Sequence, residues 1–270
     1  MPANERLLQP ILTIAAMAGE LAMAHWAPGR AHDNQWEKSP GELVSDADLL
    51  VDALLREQLG ALLPEAAWLS EESGETPGRS DARLAWVVDP IDGTRDFVRG
   101  RPGWAVSIGL VEDGAAIIGV LIAPARGERW WATRGGGAWR NGARLEVGGR
   151  TTLAGARVPI DNLRGIDVAY TVVDKPNSIA LRMAMVAANE ADLVAGLRRG
   201  AEWDLAAAAL IAQEAGARVT DALGQSIRFN KPDPSVTGLL CAVPAIHEAG
   251  LGRLRERALK LLGEGPAGAG

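Results

Sequence analysis

The run Ala85-Trp86-Val87-Val88 leading into Asp89-Pro90-Ile91-Asp92-Gly93-Thr94 constrains this chain more than any other stretch. Four consecutive apolar residues suit a buried strand. Pro90 has no N–H to give a ladder, so the strand is expected to stop there. Asp89 and Asp92 stand at its C-terminal end, with Pro90 holding the bend between them so that both can face one point. Gly93 permits backbone that a Cβ would forbid. Thr94 and Asp96 read as the opening of a helix, whose free N–H groups attract anions. Two hard oxygen ligands beside such a helix start suit a metal-assisted phosphate site. An Asp-Gly pair alone usually marks a polar turn. Asp-Pro-Ile-Asp-Gly-Thr after four apolar residues is far more specific.

The rest of the chain alternates helix and strand patterns without a long linker or internal repeat. Asn4 to Trp26 is predicted as an amphipathic helix, with Leu8, Ile11, Leu12, Ala15, Ala18, Leu21 and Ala22 at helical spacing and Pro28-Gly29 ending it. Ala31 to Glu42 reads as irregular, with Lys38-Ser39-Pro40 in a mobile loop. Ser45 is a candidate cap for a helix with Asp48 in its first turn and a buried stripe of Leu49, Ala53, Leu54 and Leu59. Ala67-Trp68-Leu69 is a strand running into Glu71 and Glu72. Trp104 to Val111 and Ala116 to Ile122 flank Glu112-Asp113-Gly114, a hairpin signal, and Asn141-Gly142 marks another. Gly135-Gly136-Gly137 reads as a turn, since no helix pattern follows it. Near Gly148 the pattern changes, which predicts an α+β lobe over 1–148, an α/β lobe over 149–270 and a cleft between them. In the second lobe, strands are expected at Val168 to Val173, Leu193 to Ala195, Ala217 to Thr220 and Leu239 to Val243. Helices are expected at Ser178 to Ala188, from Asp204 as N-cap to Ala215, and at Ala245 to Leu262, before a frayed tail.

Composition narrows the class. At 270 residues, 47% hydrophobic and 23% charged, the chain can bury a sizeable core. A net charge of −6 disfavours a nucleic acid polymer as partner, while a small phosphate ester remains compatible if a metal reverses the local field. The single cysteine, Cys241, cannot form an intramolecular disulfide and is expected in a core strand. His25, His32 and His247 read as solvated side chains, because none falls in a metal-ligand spacing. No signal peptide and no run of about 18 apolar residues is evident, so no membrane span is predicted and the cytoplasm is the expected compartment.

The segment Asp89 to Thr94 resembles the signature of the inositol monophosphatase superfamily, magnesium-dependent, lithium-sensitive phosphomonoesterases. Leu43-Val44-Ser45-Asp46-Ala47-Asp48, Ser70-Glu71-Glu72-Ser73 and Trp203-Asp204-Leu205-Ala206-Ala207-Ala208 extend the resemblance in the family's order. The resemblance implies the layered α/β/α/β/α sugar-phosphatase fold. It also implies two magnesium ions, or three, per site. Glu71, Asp89 and the Ile91 carbonyl would bind the first; Asp89, Asp92 and Asp204 would bind the second. Thr94 and Glu71 would orient the attacking water, and Gly93 and Thr94 would offer N–H groups to the phosphate. Glu42 matches the position of a weak third-metal ligand, or is a solvated loop charge. Glu72 reads equally as a group holding a ligand water or as a surface carboxylate. Asp48 is read as a helix cap and Trp203 as packing beside Asp204. A homodimer is common in the family, though periodicity locates no interface.

The ester is less constrained. Inositol monophosphatases place a Glu seven residues before the aspartate of the Trp-Asp motif to bind ring hydroxyls; Leu197 stands there in this chain. Arg198 and Arg199 follow, and guanidinium donors suit a second phosphate. Arg95-Asp96-Phe97, Glu37-Lys38-Ser39-Pro40 and Asn230-Lys231-Pro232 resemble bacterial 3'(2'),5'-bisphosphate nucleotidases. The leading expectation is therefore conversion of adenosine 3',5'-bisphosphate to AMP and phosphate. Inositol 1-phosphate comes next and histidinol phosphate third. A phosphate-ester binding protein without turnover is the remaining alternative, disfavoured because the pair Glu71 and Thr94 is intact.

Overall fold

The computed structural model describes the backbone of residues 3–161 and 169–263, and the side chains of 6–161 and 169–255. Helix α1 (Ala3–Ala24) starts the chain, and strands β1 (Gln35–Ser39) and β2 (Glu42–Ser45) form an antiparallel hairpin. The segment expected to be irregular, Lys38 included, is thus a two-stranded ribbon. Helix α2 (Asp46–Leu62) follows. Its first turn is closed by Asp48, whose Oδ2 accepts from the Ser45 N–H at 2.9 Å and the Ser45 hydroxyl at 2.5 Å.

The central sheet has eight strands in the order β10-β9-β8-β7-β6-β5-β3-β4. They are β3 (Ala67–Ser70), β4 (Gly74–Glu75), β5 (Leu84–Asp92), β6 (Ala105–Glu112), β7 (Ala115–Ala123), β8 (Glu128–Thr133), β9 (Gly137–Arg140) and β10 (Ala143–Arg144). Only β3 and β5 pair in parallel; the other neighbours are antiparallel. Strand β5 does not end at Pro90. Its ladder with β6 pairs Asp89 with Ser107, skips the proline in a register shift, and resumes at Asp92 opposite Ala105. A bulge accommodates the missing N–H and re-aims the side chains that follow.

Both faces of this sheet are covered, which is why β5 reads as a continuous apolar run rather than an alternating one. Trp86 and Val88 point to the face under α1 and α2, and Val87 to the opposite face under α4 (Ile179–Ala187) and α5 (Glu202–Glu214). Helix α2 buries Ala47, Val51, Leu55 and Leu59. The expected stripe is therefore rotated: Leu49 and Ala53 are exposed and Leu54 only partly covered. Within α1, Arg6–Ala24 is long and apolar enough by length and composition to cross a membrane, with a mean hydropathy of 1.5 although polar residues interrupt its apolar run. Its buried residues Ile11, Ala15, Ala18 and Ala22 pack on the sheet.

Beyond α4 and α5 lies a second sheet of β13 (Leu193–Gly196), β17 (Leu239–Ala242) and β15 (Arg218–Thr220), all antiparallel, with α6 (Pro244–Gly263) against its far side. The layers run α/β/α/β/α. Two short ribbons complete the chain: β11 (Arg157–Val158) with β12 (Thr171–Val172), and β14 (Gly200–Ala201) with β16 (Ser235–Val236). The strand expected from Val168 is confined to β12, and Val168 itself lies outside the described residues, as does the tail 264–270.

Helix α5 is seated deeply. Gly109 of β6 and Gly119 of β7 are cross-strand partners, and a Cβ on Gly119 would stand 2.5 Å from the Ala207 carbonyl oxygen. At the far end of the helix the Glu214 carboxylate accepts from the N–H groups of Gly135 and Gly137, at 2.8 and 2.9 Å. The three-glycine segment is a turn, and its amides hold this helix's own carboxylate. Cys241 is fully buried in β17, and burial pushes its thiol up to about 12. His247 is also fully buried, contrary to the solvated reading, and its Nε2 lies 3.1 Å from the Thr220 hydroxyl. His32 is largely covered and bonds Asp46 at 2.6 Å.

Candidate active site

The C-terminal end of β5, the end of β3 and the start of α5 converge on a cleft of about 500 Å³. Glu71 follows β3 directly, Asp89 lies in β5, and Asp204 is in the first turn of α5. One carboxylate oxygen from each lies within 4.8 Å of the others. Asp204 is not the N-cap. Ala201 holds that place, and the Asp204 carboxylate reaches back to accept from the Ala201 N–H at 3.1 Å. The cap geometry thereby fixes a group that also faces the cleft.

Burial raises two carboxyls of the trio, Asp89 and Asp204. Asp89 stands well above the ordinary carboxylate range, through burial first and then its neighbours Glu71, Asp92 and Asp204. Asp204 rises to about 8 for the same reasons. Three carboxylates this close repel one another, and a bound cation would relieve that repulsion. The donor set is all oxygen, and among the described residues Asp89 and Asp204 form no ion pair with a side chain. Hard divalent cations such as magnesium suit such a donor set.

Asp92 stands outside that trio. Its Oδ2 accepts from the Ser178 hydroxyl at 2.5 Å and the Ala180 N–H at 2.7 Å, and its Oδ1 from the Ile179 N–H at 3.3 Å. The first turn of α4 has N–H groups with no partner in the helix, and an acidic side chain from another strand satisfies them. Burial raises Asp92 to about 6 against these bonds. Asp89 and Asp92 thus share the cleft without their carboxylates meeting at one point.

Gly93 has φ +98, and a Cβ there would lie 2.8 Å from both the Gly103 carbonyl oxygen and the Ser178 nitrogen, so no other residue fits. It opens the single helical turn α3 (Thr94–Phe97). The Thr94 hydroxyl lies 3.1 Å from the Ile91 carbonyl oxygen and 3.2 Å from Asp48 Oδ1. Asp48 is 1% exposed, and burial raises it to about 6. It serves as the expected cap with one oxygen and meets Thr94 with the other. The Ser45-x-x-Asp48 spacing reveals the first role; nothing local reveals the second, which joins residues 46 positions apart.

Lys38, expected in a loop, extends from β1 to place its Nζ 2.9 Å from Glu71 and 2.7 Å from Glu72. Burial opposes its charge, but the two carboxylates outweigh this and raise the ammonium above its ordinary value. Glu72 is not a free surface charge: its side chain is 4% exposed, and burial lifts it to about 7. Arg95 donates to the Gly41 carbonyl at 2.9 Å, joining α3 to the hairpin, and Glu42 lines the same cleft. Arg198 and Arg199 line the opposite rim. Arg199 is braced by Asp233 at 2.6 Å and Ser235 at 2.5 Å. Leu197 lines a neighbouring cavity of about 630 Å³ and is absent from this cleft. Arg182, which the sequence did not single out, also lines the cleft and donates to the carbonyls of Pro176 and Asn177.

A layered α/β/α/β/α fold with three carboxylates meeting at strand and helix ends defines a class of phosphomonoester hydrolases. A sequence model described as the inositol monophosphatase family matches residues 3–260. The chain belongs to the inositol monophosphatase family, a family of phosphatases. Among its relatives, an inositol-1-monophosphatase of Mesorhizobium japonicum is 36% identical over 68% of this chain and 74% of its own length. A histidinol-phosphatase of Mycobacterium tuberculosis is 37% identical over 73% and 81%, and a 3'(2'),5'-bisphosphate nucleotidase of Aggregatibacter actinomycetemcomitans is 29% identical over 85% and 90%. The crystal structure of the extragenic suppressor protein suhB from Bartonella henselae superposes with a TM-score of 0.79 at 28% identity, covering 93% of this chain and 99% of that one.

Proposed function

We propose that the chain hydrolyses a small phosphate monoester with the help of divalent cations held by Glu71, Asp89 and Asp204. The meeting of these three oxygens within 4.8 Å carries this reading. Magnesium bound there would activate water and neutralise charge as it develops on the phosphate. The Ile91 carbonyl and Asp92 are proposed to complete the ligand set.

The protein's own residues do the positioning. The Thr94 hydroxyl can pass its proton toward Asp48 and so accept one from an attacking water with its own oxygen. Burial keeps Asp48 near neutrality in its titration, which suits a group that receives a proton at pH 7. Glu71 steers the same water, with Lys38 holding its other side. The N–H groups that open α3 at Gly93 and Thr94 are directed to the phosphate oxygens. An in-line displacement of this kind depends on placement and electrostatics, and it needs no covalent phosphoenzyme.

For the ester, we favour adenosine 3',5'-bisphosphate. Arg198 and the braced Arg199 on the rim support a second phosphate, and Leu197 supplies no acceptor for a ring hydroxyl. Inositol 1-phosphate is the second reading, supported by the relative that is 36% identical. The test is phosphate release from the two esters side by side, with and without magnesium. A strong magnesium-dependent preference for the nucleotide is expected. A preference for inositol 1-phosphate would overturn the substrate assignment, and no release from any phosphomonoester would overturn the catalytic reading.

A further inference from the structure

Glu202 takes no part in the chemistry above, yet it is fully buried. It is the first residue of α5, two before Asp204. Its carboxylate accepts from the N–H of Asn230 at 2.5 Å and of Lys231 at 3.1 Å, and lies 3.1 Å from the Lys231 ammonium. Asn230 adopts a left-handed backbone, φ +59, which turns its side chain the other way. There Nδ2 donates to the carbonyls of Arg79 and Ala82, both at 3.0 Å, and Oδ1 accepts from Arg79 Nη1 at 2.9 Å. Arg79 is 2% exposed and also donates to the Lys231 carbonyl at 2.8 Å and to Glu75 at 2.6 Å.

The network joins three segments that share nothing local: Glu75 to Ala82, the start of α5, and Asn230-Lys231. Arg79 closes the excursion that begins at Glu71, and Glu202 opens the helix that carries Asp204. Buried charges cost desolvation and add little net stability over apolar packing, whereas their forked, charge-assisted bonds fix direction. Direction is what the carboxylate trio needs, because Glu71, Asp89 and Asp204 repel one another before a cation arrives. A helix start held only by apolar contacts would relax away from its neighbours.

We infer that Arg79, Asn230, Lys231 and Glu202 form a positioning clamp that holds Asp204 against Glu71 and Asp89 and thereby sets the cation affinity of the site. This rests on the reading of the trio as a cation site. It assigns Asn230-Lys231 to the geometry of the metal ligands and not to contact with a nucleotide.

The test is titration of the cation-free, full-length chain with Mn²⁺ by calorimetry, beside thermal unfolding in EDTA. Lys231→Met is the sharper variant. By charge alone, removing an ammonium near the site would tighten cation binding; loss of the clamp loosens it. Weaker Mn²⁺ binding by severalfold in Lys231→Met, and by tenfold or more in Asn230→Ala, is expected. Arg157→Lys, which disturbs the remote Arg157–Asp192 pair, should lower thermal stability and leave Mn²⁺ binding as in the unaltered chain. Unchanged or tighter binding in Lys231→Met would overturn the clamp while leaving the cation site standing. If the unaltered chain itself bound no Mn²⁺, the site reading would fall, and the clamp with it. Should Asn230→Ala not fold, Lys231→Met decides alone, since it removes one partly exposed ammonium, with its bonds to Glu202 and to the Ser235 carbonyl at 2.8 Å, and leaves the Lys231 backbone bonds in place.

Discussion

Thr94 illustrates how much one side chain takes from its surroundings. A threonine hydroxyl is a weak proton acceptor by itself, and here it stands between the Ile91 carbonyl and the buried carboxyl of Asp48. Thr94→Ala is expected to lower turnover by about 10²–10⁴-fold, the usual worth of a positioned acid–base group. Thr94→Ser should retain most activity, because the hydroxyl is what matters. Steady-state kinetics on both variants, with thermal unfolding to show an intact fold, checks this; near-normal turnover in Thr94→Ala would remove Thr94 from the mechanism. The residue types of the site were legible in the sequence, since Asp-Pro-Ile-Asp-Gly-Thr names Asp89, Asp92 and Thr94 outright. The facing of Asp92 was not. Its carboxylate turns to the first turn of α4, which the chain reaches 86 residues later.

Among the elements, α5 is the one whose seating decides the site. It opens with Asp204 in its first turn, and the paired Gly109 and Gly119 let its alanine-rich body approach the sheet. Gly119→Ala would drive a Cβ to 2.5 Å from backbone at Ala207, which no side-chain rotation relieves. The expected cost is about 1–3 kcal/mol of overpacking. Urea unfolding would show it as a lowered midpoint, and an unchanged midpoint would mean that the helix tolerates displacement. Element existence was readable along most of the chain, because apolar periodicity is a local property. Two errors share one cause. The β1–β2 hairpin lacks an apolar stripe to announce it: four of its first five residues are exposed, and its place is held by the Lys38 and Arg95 contacts. The stripe of α2 is rotated because Leu49, Leu54, Val51 and Leu55 offer several nearly equivalent apolar faces, and only the sheet beneath selects one.

For the molecule as a whole, the buried His247 predicts a pH response outside the catalytic site. Burial lowers its pKa, assisted by Arg218 and opposed by Glu248, and its Nδ1 has no hydrogen-bond partner among the described residues. The folded state therefore binds fewer protons than the unfolded state below about pH 6.5, the ordinary histidine value. Its contribution to stability is present above that pH and is lost as the pH falls through the lowered value. Over the same range the raised carboxyls of the site take up protons and add stability, so the histidine is read by difference: from pH 7 to pH 5 the urea midpoint of the native chain should fall relative to that of His247→Gln, and parallel profiles would rule the histidine out as the cause. The sequence by itself determined the residue types at the site, most of the helices and strands, and the family, because these depend on neighbours along the chain and on motifs a few residues long. The tertiary structure alone decided that Glu71, Asp89 and Asp204 meet while Asp92 faces a helix start, that Lys38 sits on Glu71 and Glu72, and that His247 is dry. Those outcomes depend on groups brought together from distant positions, where burial and like-charge repulsion act on distances that spacing along the chain does not encode.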